Sequence, residues 1–385
     1  MRRRSESQSM DQYAQLLTDL TEAGVLGEEW RGAFERAPRS AFVPGAVWAP
    51  DDDAPTGYRR ITRSDDPDDW WAMVDADDVV VTQLDDGDDD GPGIATSSAS
   101  MPSLVADMLR HLDLSDGCDV LDIGTGTGWT SALLSARLGD EHVTTIEVDP
   151  AVAAEAARRL RAAGFSPDCV VGDGLAGWAQ GAPYDRIHST AAVRRVPSAW
   201  IEQTRPGGVI VTPWGTPYAN AGLLRLVVGG PGESSHGRFV GNVSFMWMRS
   251  QRPHAVTGPS GTPDYRGPSL MDPDLAEEDV HAAFAIGLRV PGVRYEHVWD
   301  EADPSGTYRM QLSDGAGSWA SARYAGWDAE DAVRQSGPRR LWDEITSARL
   351  WWLEAGRPDL CRFGVTITRD GTQSVWLDDP GNTLP

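Results

Sequence analysis

Cysteine is scarce in this sequence, which contains three cysteines in 385 residues. Cys118, Cys169 and Cys361 lie far apart and form no C-x-x-C pair. A disulfide framework or a structural zinc site needs paired thiols at matched spacings. We therefore expect neither of these features, and we expect the protein to work in the reducing cytoplasm.

Long apolar runs are also missing. No stretch approaches the roughly 18 consecutive apolar residues that a membrane-spanning helix requires. The chain starts with Arg2, Arg3 and Arg4, but the polar stretch 5–9 follows where a signal peptide has its apolar segment. We predict neither a membrane partner nor a signal peptide.

Positive charge is in short supply, because 34 Lys and Arg face 58 Asp and Glu, for a formal charge of −24. A surface of this sign repels phosphate backbones, so we predict no nucleic-acid partner. A basic or neutral peptide is a better partner. The alternative is that the acidic surface serves solubility alone.

Several catalytic and metal-binding patterns are absent as well. The seven histidines are scattered without an H-E-x-x-H motif, and the aspartate-rich run 85–90 lacks the spacing of an EF-hand. No G-x-S-x-G elbow and no P-loop lysine motif occurs. We predict no metal site, and we interpret the aspartate run as a solvated loop.

The sequence does contain a long region of alternating strands and helices. Residues 94–250 carry this alternation, which is typical of an α/β fold with a parallel, doubly wound, Rossmann-like sheet. Before it, residues 10–48 are predicted to be helical. Residues 49–93 form an acidic, loop-rich insert with one strand at 78–84. Together they predict a first domain over 1–250.

The predicted elements of this domain follow from apolar runs and helical periodicity. The predicted strands are 120–123, 143–146, 169–171, 184–188 and 209–212. The predicted helices are 129–138, 151–163 with Gly164 as its C-cap, and 197–204.

The composition changes near residue 251. Residues 251–267 are rich in Pro, Gly, Thr and Ser and predict a linker. Residues 268–385 predict a smaller C-terminal α+β domain, which could recognise a peptide. Its predicted elements are helices 275–286 and 339–354, strands 290–299 and 307–312, and a hairpin of 363–368 and 374–377 around Asp370-Gly371. Its tryptophans either form the core or line a binding surface; they are Trp299, Trp319, Trp327, Trp342, Trp351, Trp352 and Trp376.

The central motif is Asp122-Ile123-Gly124-Thr125-Gly126-Thr127-Gly128, between a predicted strand and a predicted helix. Glycines allow a sharp turn and a close approach of the backbone to a ligand. Dinucleotide-binding domains use G-x-G-x-x-G, whereas the spacing here is G-x-G-x-G. The motif therefore favours S-adenosylmethionine as the cofactor.

Two acidic residues follow the next two predicted strands. Glu147 stands about 20 residues beyond the glycines, where an acidic side chain accepts hydrogen bonds from the ribose hydroxyls. Asp173, in Gly172-Asp173-Gly174, is placed to bind the adenine amino group. Because ligands bind at the carboxyl ends of strands in open α/β sheets, we predict one shared site. The predicted cofactor-binding residues are Ser98, Asp122, Gly124, Thr125, Gly126, Gly128, Glu147, Val148, Asp173 and Gly174.

Taken together, these motifs resemble the protein-L-isoaspartate O-methyltransferase family in order and spacing. The resemblance rests on VLDIGTGTGW, TIEVD, GDG, APYDRIHSTAA and the RPGG of 205–208. Upstream, AFERAPRSAFVP (33–44) is similar to the family's N-terminal segment, and Ser98-Ala99-Ser100-Met101-Pro102 resembles its T-I-S-x-P loop. The resemblance covers roughly residues 10–250. It implies a carboxyl O-methyltransferase that uses S-adenosylmethionine, with Ser100 as the active-site serine.

The role of Ser100 is chemically reasonable. An acceptor carboxylate is already ionised at neutral pH, so it needs orientation by hydrogen bonds and no general base. The alternative is that Ser97, Ser98 and Ser100 are ordinary loop and helix-capping residues. His188 follows a predicted strand, and we interpret it as a packed histidine.

The chain departs from the family in its acidic insert and in its C-terminal extension. It resembles the long forms that are associated with lasso peptides, lanthipeptides and graspetides. This resemblance implies methylation of one aspartate in a ribosomally made peptide, followed by aspartimide formation. General repair of isoaspartyl proteins is the main alternative. A small-molecule methyltransferase, which would need a closed apolar pocket, and a non-catalytic binding protein are further alternatives.

Overall fold

The computed structural model describes residues 6–299 and 307–384. The arginines at positions 2–4 lie outside the described residues. The chain forms two compact units. The first comprises the described residues up to Ala191 together with Pro197–Thr212 and Val227–Pro231; the second comprises Ala192–Val196, Pro213–Leu226 and the described residues from Gly232 onward.

Two helices open the first unit, α1 (Glu6–Glu22) and α2 (Glu28–Arg36). The buried face of α2 carries Trp30, Ala33 and Phe34 at helical spacing. The helical prediction for 10–48 is therefore confirmed up to Arg36. It is wrong for the last residues, because Ala46 already belongs to a strand.

The acidic segment is a folded sheet, which corrects the prediction of a loop-rich insert. It contains β1 (Ala46–Pro50), β2 (Tyr58–Thr62), helix α3 (Pro67–Asp75), β3 (Val80–Leu84) and β4 (Ala95–Ala99). The strand order is β2-β1-β3-β4, with antiparallel pairing. The turns of this segment are rich in aspartate and dominate its composition, so its short strands were not predicted. Apolar residues of these strands form a core cluster with Trp70 and Trp71.

The α/β part of the first unit follows. Its elements are α4 (Pro102–His111), β5 (Val120–Ile123), α5 (Trp129–Leu138), β6 (Val143–Glu147), α6 (Pro150–Ala162), β7 (Asp168–Val171), β8 (Tyr184–Ser189), α7 (Ser198–Glu202) and β9 (Thr204–Gly215). Within this unit the strand order is β9-β8-β5-β6-β7, and every pair is parallel. This order is that of a Rossmann-like sheet, as predicted.

The register places the motif residues on neighbouring strands. Asp122 of β5 pairs with Thr145 of β6 on one side and with His188 of β8 on the other. Parallel strands end at the same edge, so the glycine-rich segment, Glu147 and Gly172 meet there. The predicted strand 209–212 is longer than expected: β9 has 12 residues and begins at Thr204, within the predicted helix 197–204.

The second unit is α+β, as predicted. Its elements are β10 (Asn220–Val227), β11 (Ser235–Asn242), β12 (Tyr265–Gly267), α8 (Val280–Arg289), β13 (Arg294–Trp299), β14 (Tyr308–Ser313), β15 (Trp319–Arg323), β16 (Val333–Ser336), α9 (Leu341–Glu354), β17 (Phe363–Ile367) and β18 (Gln373–Leu377). One set of strands is ordered β18-β17-β11-β10, and a five-stranded sheet is ordered β12-β16-β15-β14-β13. The predicted hairpin is β17–β18.

Most tryptophans of the second unit belong to its core. Trp319, Trp342, Trp352 and Trp376 are buried, whereas Trp299 is 50% exposed. Helices α8 and α9 pack on the five-stranded sheet through Ile286, Ile345 and their neighbours. The core interpretation of these aromatic residues is therefore the better one.

None of the helices in the described part of the chain combines the length and the apolar character needed to cross a bilayer.

Candidate functional site

The glycine turn, residues 124–128, joins β5 to α5. Gly124, Gly126 and Gly128 all have positive φ, at 90°, 54° and 90°. This region is strongly unfavourable for side chains with a Cβ atom. At Gly124 a Cβ would also lie 2.8 Å from Oγ1 of Thr190, and at Gly128 it would lie 3.2 Å from Leu160. The turn therefore requires glycine for conformation and for space.

Glu147 stands at the end of β6, across from the glycine turn. Its Oε2 accepts a 2.9 Å hydrogen bond from the Gly126 N–H, and its Oε1 accepts a 3.1 Å bond from the Asp149 N–H. The next residue, Val148, is 41% exposed. A half-buried carboxylate and an exposed apolar side chain thus follow one another at the sheet edge, with the carboxylate held in place by two backbone donors.

Asp122 lies beneath the turn and is fully buried. Its Oδ1 is 2.8 Å from Nδ1 of His188, and its Oδ2 accepts hydrogen bonds from Ser131 (2.7 Å) and Thr145 (3.3 Å). Thr145 is in turn 2.7 Å from Oγ1 of Thr125. Both oxygens of Asp122 are occupied by protein groups, so this side chain supports the glycine turn from below.

The third strand end supplies Asp173 and Gly174. Asp173 is exposed, and its Oδ1 accepts a 3.0 Å hydrogen bond from the Leu175 N–H. Gly174 is buried, and its carbonyl accepts a 2.7 Å bond from Nε1 of Trp200. The structure therefore brings the predicted residues of all three strand ends to one edge of the sheet.

The serine loop, residues 98–102, approaches the glycine turn. Ser98 lies in β4, Ser100 follows the strand, and Pro102 begins α4. A Cβ built on Gly126 would lie 3.7 Å from the carbonyl oxygen of Ser98. The loop that carries the predicted active-site serine is thus in van der Waals reach of the predicted cofactor-binding turn.

Two side chains that the sequence analysis did not single out connect these parts. Gln83 of β3 donates from Nε2 to Oδ2 of Asp149 (3.1 Å) and accepts from Oγ1 of Thr96 (3.0 Å). Thr190 donates to the carbonyl of Gly124 (2.8 Å). The signal for Thr190 was its position directly after a parallel strand. Gln83 carried no local signal, because its partner is 66 residues away.

His188 is packed, in agreement with the sequence interpretation. Its side chain is 1% exposed and is bonded to Asp122. A group of three or more His, Cys, Asp or Glu side chains able to hold a metal ion is not found among residues 6–299 and 307–384.

A cavity of about 500 Å³ opens at the opposite, amino ends of the strands. Asp119, His142 and Tyr184 are among its lining residues, and they stand at or just before the starts of β5, β6 and β8. Because open α/β sheets bind ligands at the carboxyl ends of their strands, we do not assign this cavity to the candidate site.

The strand order and the three strand ends define the first unit as a Rossmann-like cofactor-binding domain. The side chains fit an adenosine moiety. Glu147 offers acceptors for ribose hydroxyls, Val148 offers an apolar surface for the base, and Asp173 offers an acceptor for its amino group.

Comparison with known proteins identifies the domain further. A family model described as Protein-L-isoaspartate(D-aspartate) O-methyltransferase matches residues 89–241. The protein-L-isoaspartate O-methyltransferase of Methanothermobacter thermautotrophicus is 30% identical over 240 residues, covering 62% of this chain and 94% of that protein. The corresponding protein of Ignicoccus hospitalis is 43% identical over 121 residues, covering 31% of this chain and 57% of that protein.

A solved structure titled protein-L-isoaspartate O-methyltransferase has a similar fold. It aligns with a TM-score of 0.55 at 19% identity, over 95% of this chain and 100% of that one. The chain belongs to the protein-L-isoaspartate O-methyltransferase family. The cofactor of this family is S-adenosylmethionine, to which the donor set at the sheet edge is suited.

Proposed function

We propose that this protein is a carboxyl O-methyltransferase that transfers a methyl group from S-adenosylmethionine to an aspartyl-type carboxylate of a peptide. The observation that carries the proposal is the closeness of the serine loop to the glycine turn: a Cβ added to Gly126 would lie 3.7 Å from the Ser98 carbonyl. This arrangement brings a hydroxyl-bearing loop near the segment that is proposed to hold the cofactor. Family membership supports the same chemistry.

The chemistry demands little of the protein beyond orientation. S-adenosylmethionine, when bound, supplies an electrophilic methyl group on a sulfonium sulfur. The acceptor carboxylate forms the new O–C bond, and the electron pair of the broken S–C bond stays on sulfur. No proton is transferred, because a carboxylate is ionised at neutral pH.

Ser100 has the role of orienting the acceptor. Its hydroxyl donates a hydrogen bond to one carboxylate oxygen and leaves the other oxygen in line with the methyl group. Positioning of this kind supplies most of the acceleration when neither reactant needs activation. Glu147, Val148 and Asp173 hold the adenosine part, and the glycine turn leaves room for the backbone to approach it.

Within this chemistry, we propose that the natural acceptor is one aspartate of a ribosomally made peptide. After methylation, the following backbone nitrogen attacks the ester, and methanol leaves as the aspartimide ring closes. The second unit supports this proposal, because an additional α+β unit provides surface with which one peptide could be selected.

General repair of isoaspartyl proteins is the second candidate. The solved protein-L-isoaspartate O-methyltransferase aligns with 95% of this chain. A region that corresponds to much of the C-terminal part of this chain therefore occurs in another protein of that fold, and the length of the chain alone does not favour biosynthesis over repair.

A single methylation experiment separates these candidates. The full-length protein is incubated with S-adenosylmethionine and three peptides: one with L-isoaspartate, its matched copy with L-aspartate, and a candidate precursor peptide encoded nearby. Mass spectrometry then reports methyl esters and loss of water. An ester on one aspartate of the precursor peptide, followed by net loss of water, is the result that we expect.

If only the isoaspartyl peptide were esterified, the proposed biosynthetic function would be wrong, and repair of isoaspartyl proteins would take its place. If no peptide were methylated while S-adenosylmethionine still bound, the assignment of a peptide carboxylate as acceptor would be wrong. A reaction without the protein serves as the control for background esterification.

A further inference from the structure

We propose that Arg39 is a positioning residue that holds the serine loop at a set place over the glycine turn. Arg39 touches neither cofactor nor acceptor in this proposal; it acts through the main chain on either side of Ser100. The proposal rests on the function proposed above. Every contact that supports it lies within the first unit.

Arg39 is a charged group in the protein interior. Its side chain is 0% exposed, and burial lowers the pKa of its guanidinium to about 10, so the group stays protonated at neutral pH. A buried charge is strongly unfavourable unless hydrogen bonds compensate it. Its retention here requires a set of well-placed acceptors.

Those acceptors are main-chain carbonyls from separate segments. Nη1 donates to the carbonyls of Val74 and Ala76, both at 3.2 Å. Nη2 donates to the carbonyls of Asp78 (2.6 Å) and Ala99 (2.8 Å). The guanidinium thus ties the end of α3 and the start of β3 to Ala99, the residue directly before Ser100.

A second tie lies just after the serine loop. The Ser103 N–H, in the first turn of α4, donates to Oδ1 of Asp77 (2.8 Å). Asp77 lies in the segment that Arg39 holds on both sides, through Ala76 and Asp78. Ser100 therefore lies between two hydrogen bonds, one from Arg39 to the Ala99 carbonyl and one from the Ser103 N–H to Asp77. Arg39 also bonds the residues on both sides of Asp77.

The other side of Arg39 faces the beginning of α5. Its Cζ lies 5.7 Å from the ring centroid of Trp129, the residue that directly follows Gly128. Nε1 of Trp129 donates to the carbonyl of Ala37 (2.9 Å), two residues before Arg39. Arg39 therefore lies between the end of the glycine turn and the start of the serine loop.

This placement determines the distance between acceptor and methyl group. In-line transfer tolerates little error, and a shift of about 1 Å caused by a remote mutation can cost about 100-fold in rate. One of the four hydrogen bonds from this planar group goes to Ala99, and the other three hold the group itself in place, so Ala99 is restricted beyond its ladder pairing with Val80.

The test compares Arg39→Gln and Arg39→Lys with Val47→Ala. Val47 is also 0% exposed and belongs to the core of the same four-stranded sheet, so Val47→Ala weakens this sheet without removing the bond to Ala99. Three quantities are measured on the whole chain. They are kcat for methylation of a peptide that the wild-type protein accepts, the Kd of S-adenosylhomocysteine, and amide hydrogen exchange over residues 95–105.

We expect Arg39→Gln to lower kcat by about 10- to 100-fold, to change the Kd much less, and to speed exchange over 95–105. Arg39→Lys should be intermediate, because the ammonium group keeps the charge but cannot span four carbonyls. Val47→Ala should lower stability with a much smaller loss of kcat. If Arg39→Gln does not fold, the kcat and the exchange profile of Arg39→Lys test the positioning role instead.

Unchanged exchange over 95–105 in a folded Arg39 variant would overturn the proposal. So would an equal loss of kcat in Val47→Ala, since a general loss of stability would then explain the effect. If the wild-type protein methylates no carboxylate, the proposed function fails, while the exchange measurement still reports whether Arg39 holds the loop.

Discussion

The two sides of the candidate site are built in different ways. The cofactor side consists of the glycine turn, Glu147 and Asp173, which stand at the ends of three adjacent parallel strands. The acceptor side consists of the serine loop, which a hairpin of β3 and β4 carries to the same edge. The first is a property of short, continuous motifs, whereas the second depends on contacts between residues that are far apart in the chain.

This difference has a functional meaning. Parallel strands in register place the cofactor side with few additional contacts. The residues that flank the serine loop bond distant partners: Ala99 bonds Arg39, 60 residues away, and Ser103 bonds Asp77, 26 residues away. Mutations on the cofactor side should therefore change cofactor binding, and those on the acceptor side should change turnover.

The largest effect is expected for Asp122→Ala, which tests the support beneath the cofactor side. Removing one partner of the buried Asp122–His188 pair takes away the carboxylate that His188 contacts and one acceptor of both Ser131 and Thr145. We expect a loss of about 3–5 kcal/mol in the free energy of unfolding, measured by denaturant titration.

The control is Asp116→Ala, because the Asp116 side chain is 91% exposed and its ion pair with Arg137 lies on the surface. We expect little change in stability for this variant. Normal stability of Asp122→Ala combined with lost cofactor binding would show that Asp122 contacts the cofactor directly.

Glu147→Ala tests the cofactor side itself. It removes a carboxylate that accepts from Gly126 and Asp149 and that is predicted to accept from the ribose. Hydrogen bonds to charged groups contribute about 1.5–3 kcal/mol, so the Kd for S-adenosylmethionine should rise about 10- to 100-fold. Isothermal titration calorimetry measures this change, with Glu155→Ala on α6 as the control. An unchanged Kd would remove Glu147 from the cofactor site.

Ser100→Ala tests the acceptor side. It removes the hydroxyl that is proposed to orient the carboxylate, so kcat should fall about tenfold, in line with about 1–1.5 kcal/mol for one hydrogen bond. The Kd of the cofactor should stay unchanged. Ser103→Ala is a matched control, since the Ser103 main-chain N–H still bonds Asp77. If Ser100→Ala raised the Kd of the cofactor and kept a normal kcat, Ser100 would belong to the cofactor side and not to the acceptor side.

The smallest effect is expected for Gln83, which joins the two sides. Gln83→Ala loses the bonds to Asp149 and Thr96 and should lower kcat only a few-fold, corresponding to about 0.5–1 kcal/mol. Gln83→Glu should be worse, because a carboxylate would then face that of Asp149. Steady-state kinetics at two salt concentrations measures this; equal activity of the two variants would argue against the contact.

Much of the fold followed from the sequence. Strand Val120–Ile123, for example, is apolar at three of its four positions, because a parallel sheet is covered on both faces. The acidic segment was misinterpreted because its strands are five residues long and only half-buried. Short strands of this kind are stabilised by packing against α3 and carry little signal of their own.

The predicted domain division rested on a change of composition near residue 251. Pro213–Leu226 lies before that change and belongs to the second unit. Composition reports on linkers, and it does not report which segments pack together.

The sequence by itself determined the cofactor side. The glycine spacing and the acidic residue after the next strand are local patterns, and a parallel sheet brings the ends of adjacent strands to the same edge. Only the tertiary structure decided the acceptor side. The carbonyl of Ala99 meets Arg39 across 60 residues, and the side chain of Asp77 meets the Ser103 N–H across 26. One partner in each of these bonds is a main-chain group, which nearly all residue types carry, so no residue pattern predicts the bond.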